Sequence, residues 1–109
     1  MALEQRPVEV IVLGSGTSHG VPMIGCTCEV CTSTDPRDRR TRPSIWVRIG
    51  KAEMIVDTTP ELRLQCLAAG IDRVDAVLFT HHHADHVFGF DDLRRFNWIM
   101  RRPMACNSM

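Results

Sequence analysis

Hydrophobic residues along this chain fall into short β-rich runs and two stretches of helical character, separated by glycine-rich and polar loops. Val8 to Leu13 is a β-rich run ended by Gly14, Gly16 and Gly20, which signal a tight loop with exposed backbone. From Thr32 to Arg42 the chain is polar and basic, and reads as a loop. Ser44 to Ile49 and Glu53 to Val56 read as paired strands joined at Gly50-Lys51. Thr59 suits a helix N-cap, Pro60 its first turn and Glu61 the positive end of its dipole. Leu62, Leu64, Cys66, Leu67, Ala68 and Ala69 then cover a broad apolar face, and Gly70 is the expected C-cap. Ala76 to Phe79 is continuously apolar, as a strand covered on both faces should be. Asp91 to Met100 reads as a second helix with Leu93, Phe96, Trp98 and Met100 partly buried. The order strand, long loop, strand, strand, helix, strand, helix suits a layered α/β arrangement.

The 109 residues make one domain at most, with an ordinary share of apolar and charged residues. Acidic and basic residues balance at 13 each, so no global charge draws the chain to nucleic acid or an anionic membrane. No apolar run approaches the roughly 18 residues of a spanning helix, and residues 1–7 lack a signal-peptide core. A cytoplasmic location is the expectation. The glycines at 14, 16 and 20 match neither the dinucleotide fingerprint nor a P-loop, which argues against nucleotide binding.

Chemistry concentrates in Thr80-His81-His82-His83-Ala84-Asp85-His86, directly after the apolar run. Along an extended chain, residues two apart project to the same side, so His81 and His83 can grip one ion. Asp85 and His86 are adjacent and converge on a second ion only if the chain turns there, as it would where a strand gives way to a helix. His82 should point away and is read as a non-ligand. Imidazole and carboxylate suit zinc first, then manganese or iron. Two such ions about 3.5–4 Å apart can activate a shared water and stabilise both oxygens in a displacement.

Cysteines number five, with three clustered at 26, 28 and 31. In a reducing compartment that spacing reads as thiolate metal binding before disulfide. Cys26, Cys28 and Cys31 are expected to hold one structural zinc in a tight loop. Cys66 is expected to be a small buried hydrophobe, and Cys106 has no assigned role. Arg37, Arg39, Arg40 and Arg42 could attract phosphate, but a solvated loop balanced by Asp35 and Asp38 is the simpler reading.

The histidine string resembles the signature of the metallo-β-lactamase superfamily, and the resemblance runs from about Val8 to Trp98. Residues 10–22 are similar to that family's opening strand and glycine-rich loop. Residues 25–31 and 35–44, with Asp91-Asp92-Leu93-Arg94, are similar to the branch containing phosphoribosyl 1,2-cyclic phosphate phosphodiesterase. The resemblance implies an αββα sandwich, of which residues 1–109 would be a partial domain, the amino-terminal half. It implies a metal-dependent hydrolase acting on a small cyclic phosphate ester, with two divalent ions, zinc or manganese, in the active site. His81 and His83 would hold the first and Asp85 and His86 the second, with Asp85 also orienting the attacking water as the catalytic carboxylate. Asp57, after the second hairpin strand, would hydrogen-bond the ligand loop, although an ordinary turn-starting Asp fits its position nearly as well.

In the family a second half supplies another His to each ion, a bridging Asp and the fourth ligand of the cysteine site. No His follows His86, and residues 101–109 drift from the family's usual continuation, so a truncated chain inactive by itself is expected. An uncovered sheet face and edge would favour a homodimer. The rival readings are a nuclease of the transfer-RNA 3′-processing kind, a thioester or lactone hydrolase, and a non-catalytic metal-binding fragment.

Overall fold

Two hairpin-linked strands and two crossovers build one five-stranded sheet. The computed structural model describes residues 7–81, 83–100 and 105–108. The strands are β1 (Val8–Gly14), β2 (Ser44–Ile49), β3 (Ala52–Val56), β4 (Ala76–Phe79) and β5 (Ala105–Ser108), adjacent in that order. β1, β2 and β3 are antiparallel neighbours, and Gly50 turns between β2 and β3 with a φ of 61°, in the left-handed region that glycine enters without strain. β4 runs parallel to β3, and β5 parallel to β4. The first crossover carries helix α1 (Leu62–Ala69). The second carries α2 (Ala84–Val87) and α3 (Leu93–Met100).

Strand register explains which face is the core. Ile11, Trp46, Ile55 and Val77 lie side by side across four strands and, because residues alternate along a strand, share one face. Trp46, Ile55 and Val77 are buried, packed in one cluster with Leu62 and Cys66 of α1, Val74, and Leu93 and Phe96 of α3. Both crossovers therefore cover the same side. Each fully buried aliphatic side chain here contributes about 1.5–3 kcal/mol.

The intervening positions form the opposite face: Val10, Val47, Met54 and Ala76 in one row, Val12, Ile45, Val56 and Leu78 in the next. It is apolar throughout, yet Val8, Val10 and Val12 are 62%, 54% and 61% exposed. β4 is thus covered on one face, with Val77 buried and Ala76 and Leu78 half-buried.

Four expectations need correction. β5 was not foreseen: Ala105–Ser108 lacks β-branched residues and is a strand by virtue of pairing with β4. α1 starts at Leu62 with Glu61 in the cap position, later than a Thr59 cap implies, although Thr59 Oγ1 does accept from the Glu61 amide at 3.2 Å in the turn that leads into it. Leu64 and Leu67 are exposed, because the face α1 turns to the sheet is Leu62, Gln65 and Cys66. Trp98 is 68% exposed, on the side of α3 away from buried Leu93 and Phe96, with Arg95 over its ring at 4.7 Å. The reading of Gly70 as C-cap stands, with a left-handed φ of 71°. Among the described residues no helix is long and apolar enough to cross a membrane. The N-terminal residues 1–6 and residues 101–104 and 109, read above as a non-signal start and a divergent tail, lie outside the described residues.

Candidate metal centre

The carboxyl ends of β3 and β4 meet at one edge of the sheet, and the histidine string starts there. The chain leaves β4 at Thr80 and enters α2 with His83, in extended backbone, as its N-cap residue. That turn lets the adjacent Asp85 and His86 face one point. The His81 ring lies 4.0 Å from that of His86 and 4.5 Å from that of His83, centroid to centroid. His81 and His83 are exposed, while Asp85 and His86 are half-buried. His82, expected to point away, lies outside the described residues.

Asp57 organises this cluster. It follows β3 with a φ of 66°, a left-handed conformation that Asp tolerates better than most residues, and it is buried. Its Oδ1 accepts from the Thr80 amide at 2.8 Å, and its Oδ2 from the Thr80 hydroxyl at 2.7 Å. Oδ2 also lies 2.7 Å from His86 Nδ1. A carboxylate only accepts, so His86 carries a proton on Nδ1 and, as the neutral imidazole, presents the Nε2 lone pair. The Thr80 proton is likewise committed to Asp57, so its oxygen accepts from His81 Nδ1, 2.9 Å away. His81 therefore also presents Nε2. One buried carboxylate sets the tautomer of two imidazoles, directly and through a hydroxyl relay, as carboxylates behind metal-bound histidines do.

The donor set fits a divalent cation. Asp85 Oδ2 is buried without a hydrogen-bond partner, and His86 Nε2 stands 3.1 Å from it. Between a neutral imidazole and a carboxylate that approach is repulsive, and a proton or a metal cation held by both atoms relieves it. Carboxylate with neutral imidazole is the chemistry of zinc and manganese sites.

The backbone braces the string from the same side. Thr58 N–H donates to His86 O at 2.7 Å, and Gly89 N–H donates to Thr58 O at 3.1 Å. Gly89 is required by packing: a Cβ there would lie 2.0 Å from Thr59 O.

Cys26, Cys28 and Cys31 converge elsewhere, with their sulfur atoms within 4.8 Å of one another. Among the described residues this is the one trio of His, Cys, Asp or Glu donors so close together. The Cys31 amide donates to Cys28 Sγ at 3.4 Å. That bond, with contacts to Cys26 and Cys31, lowers the Cys28 thiol to a pKa of about 7. Cys66 is the inert core residue expected, its thiol raised to about 11 by burial.

The basic loop is neither a phosphate cradle nor simply solvated. Arg37 pairs with Asp35 at 2.8 Å, as charge balance suggested. Arg40 instead donates to Ser15 Oγ at 2.8 Å, and Arg42 to Ser18 O at 2.7 Å and Glu61 Oε1 at 2.6 Å. These two arginines clip the glycine-rich loop and fasten it to the start of α1. The glycines serve the same approach: a Cβ on Gly14 would meet Arg42 O at 2.0 Å, and one on Gly16 would meet Arg40 O at 2.7 Å.

Sequence reasoning missed Gln65, Thr58 and Thr59, which are buried polar residues behind the ligands. A Thr-Thr pair after a strand-end Asp was the available signal.

Comparison with known proteins identifies the family. Residues 37–103 match the family model of the Metallo-beta-lactamase superfamily. A crystal structure of a diphosphatase from the PhnP family superposes with a TM-score of 0.81 at 49% identity, covering 87% of this chain and 37% of that one. An octanoyltransferase of Porphyromonas gingivalis is 54% identical over 89 residues, 81% of this chain and 18% of its own length. Coenzyme PQQ synthesis protein B of Methylobacterium nodulans is 32% identical over 101 residues, 80% of this chain and 34% of its own. The chain thus spans well under half of each of these relatives.

Proposed function

The chain belongs to the metallo-beta-lactamase superfamily, and from that membership we propose that it carries the metal-binding portion of a phosphodiesterase that cleaves a small cyclic phosphate ester. The observation that carries the proposal is the Asp57 arrangement, which holds the His86 and His81 rings by Nδ1, directly and through Thr80, beside the Asp85 Oδ2 that has no hydrogen-bond partner. His81 and His83 would hold one divalent ion, and Asp85 with His86 a second. When bound, the ions supply Lewis-acid activation of water and offset charge on the phosphate. Asp85 would accept a hydrogen bond from the attacking water and orient it toward phosphorus, while Asp57 and Thr80 keep both imidazoles in the ligating tautomer. Cys26, Cys28 and Cys31 would hold a structural zinc that ties down their loop.

A small phosphate substrate is favoured by the similarity to a diphosphatase at 49% identity. A nucleic-acid substrate is disfavoured because acidic and basic residues balance and the arginines at 40 and 42 are engaged internally. Each ion has two identified donors in this chain, where a catalytic zinc normally uses three plus water. The 109 residues alone should therefore turn over phosphodiesters negligibly.

The test is a chimera in which this chain replaces the matching segment of the PhnP-family diphosphatase. It should hydrolyse an activated phosphodiester and a diphosphate, and Asp85→Ala should abolish both activities. A folded, zinc-loaded chimera that is inert toward phosphate diesters but cleaves thioesters or lactones would refute the proposal.

A further inference from the structure

Gln65 lies on the sheet-facing side of α1 and is 4% exposed, an unusual place for a carboxamide. Its Oε1 accepts from Thr59 Oγ1 at 2.9 Å. Its Nε2 donates to Thr41 Oγ1 at 2.9 Å and to Arg42 O at 3.0 Å. Both amide protons and one acceptor site are thereby used, and the partners belong to two segments, Thr41-Arg42 and Thr59. Thr41 and Arg42 hold the glycine-rich loop, since Thr41 O accepts from Gly16 N–H at 2.8 Å and Arg42 donates to Ser18 O. Thr59 adjoins the Asp57-Thr58 brace behind His86.

Two glycines mark the ends of this path. A Cβ on Gly14 would meet Gln65 Nε2 at 2.6 Å, and a Cβ on Gly89 would meet Thr59 O at 2.0 Å. Side chains are excluded at both ends so that backbone and carboxamide can close together.

We propose that Gln65 is a positioning residue for the metal centre: its carboxamide registers the Thr41-Arg42 segment against the Thr58-Thr59 brace, so that the glycine-rich loop and the ligand string hold one fixed relative placement. The path runs from Gly14 and Arg42 through Gln65 to Thr59, then through Thr58 and Asp57 to His86 and Thr80. Gln65 touches none of the metal ligands and acts only through these residues.

Hydrogen exchange in the metal-free protein tests this without any activity. The Thr58, Thr80 and Gly89 amides are bonded to His86 O, Asp57 Oδ1 and Thr58 O respectively, and report the brace. Gln65→Met keeps the chain length and removes the hydrogen bonds. It should raise exchange at those three amides about tenfold relative to the β2–β3 amides, the worth of roughly one hydrogen bond. Val74→Ala, a buried change outside the path, should affect both sets alike. Equal changes in both sets for Gln65→Met, or none, would overturn the proposal. If Gln65→Met fails to fold, Thr59→Val cuts the same path from its other side; it should reproduce the local rise, and unchanged exchange in it would overturn the proposal equally.

A second arm rests on the reading of residues 81–86 as a metal site. Zinc affinity of the string should fall about three- to tenfold in Gln65→Met. A wild-type string that binds no zinc would defeat that reading, while the exchange pattern still decides the role of Gln65.

Discussion

Replacing Asp57 by Asn isolates the chemistry of one oxygen. Asn is nearly isosteric and tolerates the left-handed φ of 66°, so the backbone should stay in place. Oδ1 can still accept from the Thr80 amide, but an NH2 group replaces Oδ2, which now accepts from both Thr80 Oγ1 and His86 Nδ1. An amide nitrogen cannot accept from either. His86 must then move its proton to Nε2, and the hydroxyl relay that orients His81 Nδ1 is broken. Two charge-assisted hydrogen bonds become neutral or unmet, a loss of about 1–3 kcal/mol in the metal-free protein. Loss of the group behind a metal-bound His costs roughly 10- to 100-fold in metal affinity, about 1.4–2.7 kcal/mol. Here two imidazoles are affected, so the upper end is expected. The assay is zinc competition against a chromophoric chelator, with Cys26, Cys28 and Cys31 changed to Ser so that only the string reports, alongside urea unfolding. Asp57→Ala should be less stable than Asp57→Asn by a further ~1–2 kcal/mol, because Ala pays a steric penalty in the left-handed region. A folded Asp57→Asn protein whose zinc affinity stays within about twofold of its parent would refute the tautomer argument.

Other substitutions probe separate features. Cys28→Ser should lower the metal content of the purified protein and leave the zinc affinity of the string unchanged; equal metal in the parent and the triple Cys→Ser variant would eliminate the thiolate site. The exposed valines of β1 should drive association, so sedimentation should show dimers or larger species that Val10→Lys shifts toward monomer. A stable monomer at high concentration would contradict this. Gly89→Ala should destabilise the protein by about 1–3 kcal/mol on urea unfolding, because the 2.0 Å approach of Thr59 O leaves no room for a methyl group. An unchanged midpoint would mean that the turn after α2 adapts.

Much of the fold and the position of the candidate metal centre were legible in local sequence. The β-rich runs of β1 to β4, the Gly70 cap and the apolar run before the histidines carry their own signals, and the i, i+2 spacing of His81 and His83 pointed to the candidate site. What escaped was non-local. Gln65 carries no signal of its own in the sequence, because its partners Thr41 and Arg42 lie more than twenty residues earlier. Arg40 and Arg42 read as solvated charge because their carbonyl and hydroxyl partners lie in the glycine-rich loop. Leu64 and Leu67 are as apolar as Leu62, and only the direction of the sheet decides which of them is buried. β5 depends wholly on its neighbour β4. For Asp57 an ordinary turn-starting role fitted its position nearly as well, and its bonds to Thr80 and His86 decide for the ligand loop.

The most direct test of the string as a metal site is the zinc K-edge absorption spectrum of the protein with Cys26, Cys28 and Cys31 changed to Ser and zinc added. The predicted result is nitrogen and oxygen ligation alone, at about 2.0–2.2 Å, with the outer-shell scattering of imidazole, lost when His81 and His86 are both changed to Ala. A spectrum of hydrated zinc without imidazole scattering, from protein that is otherwise folded, would contradict it.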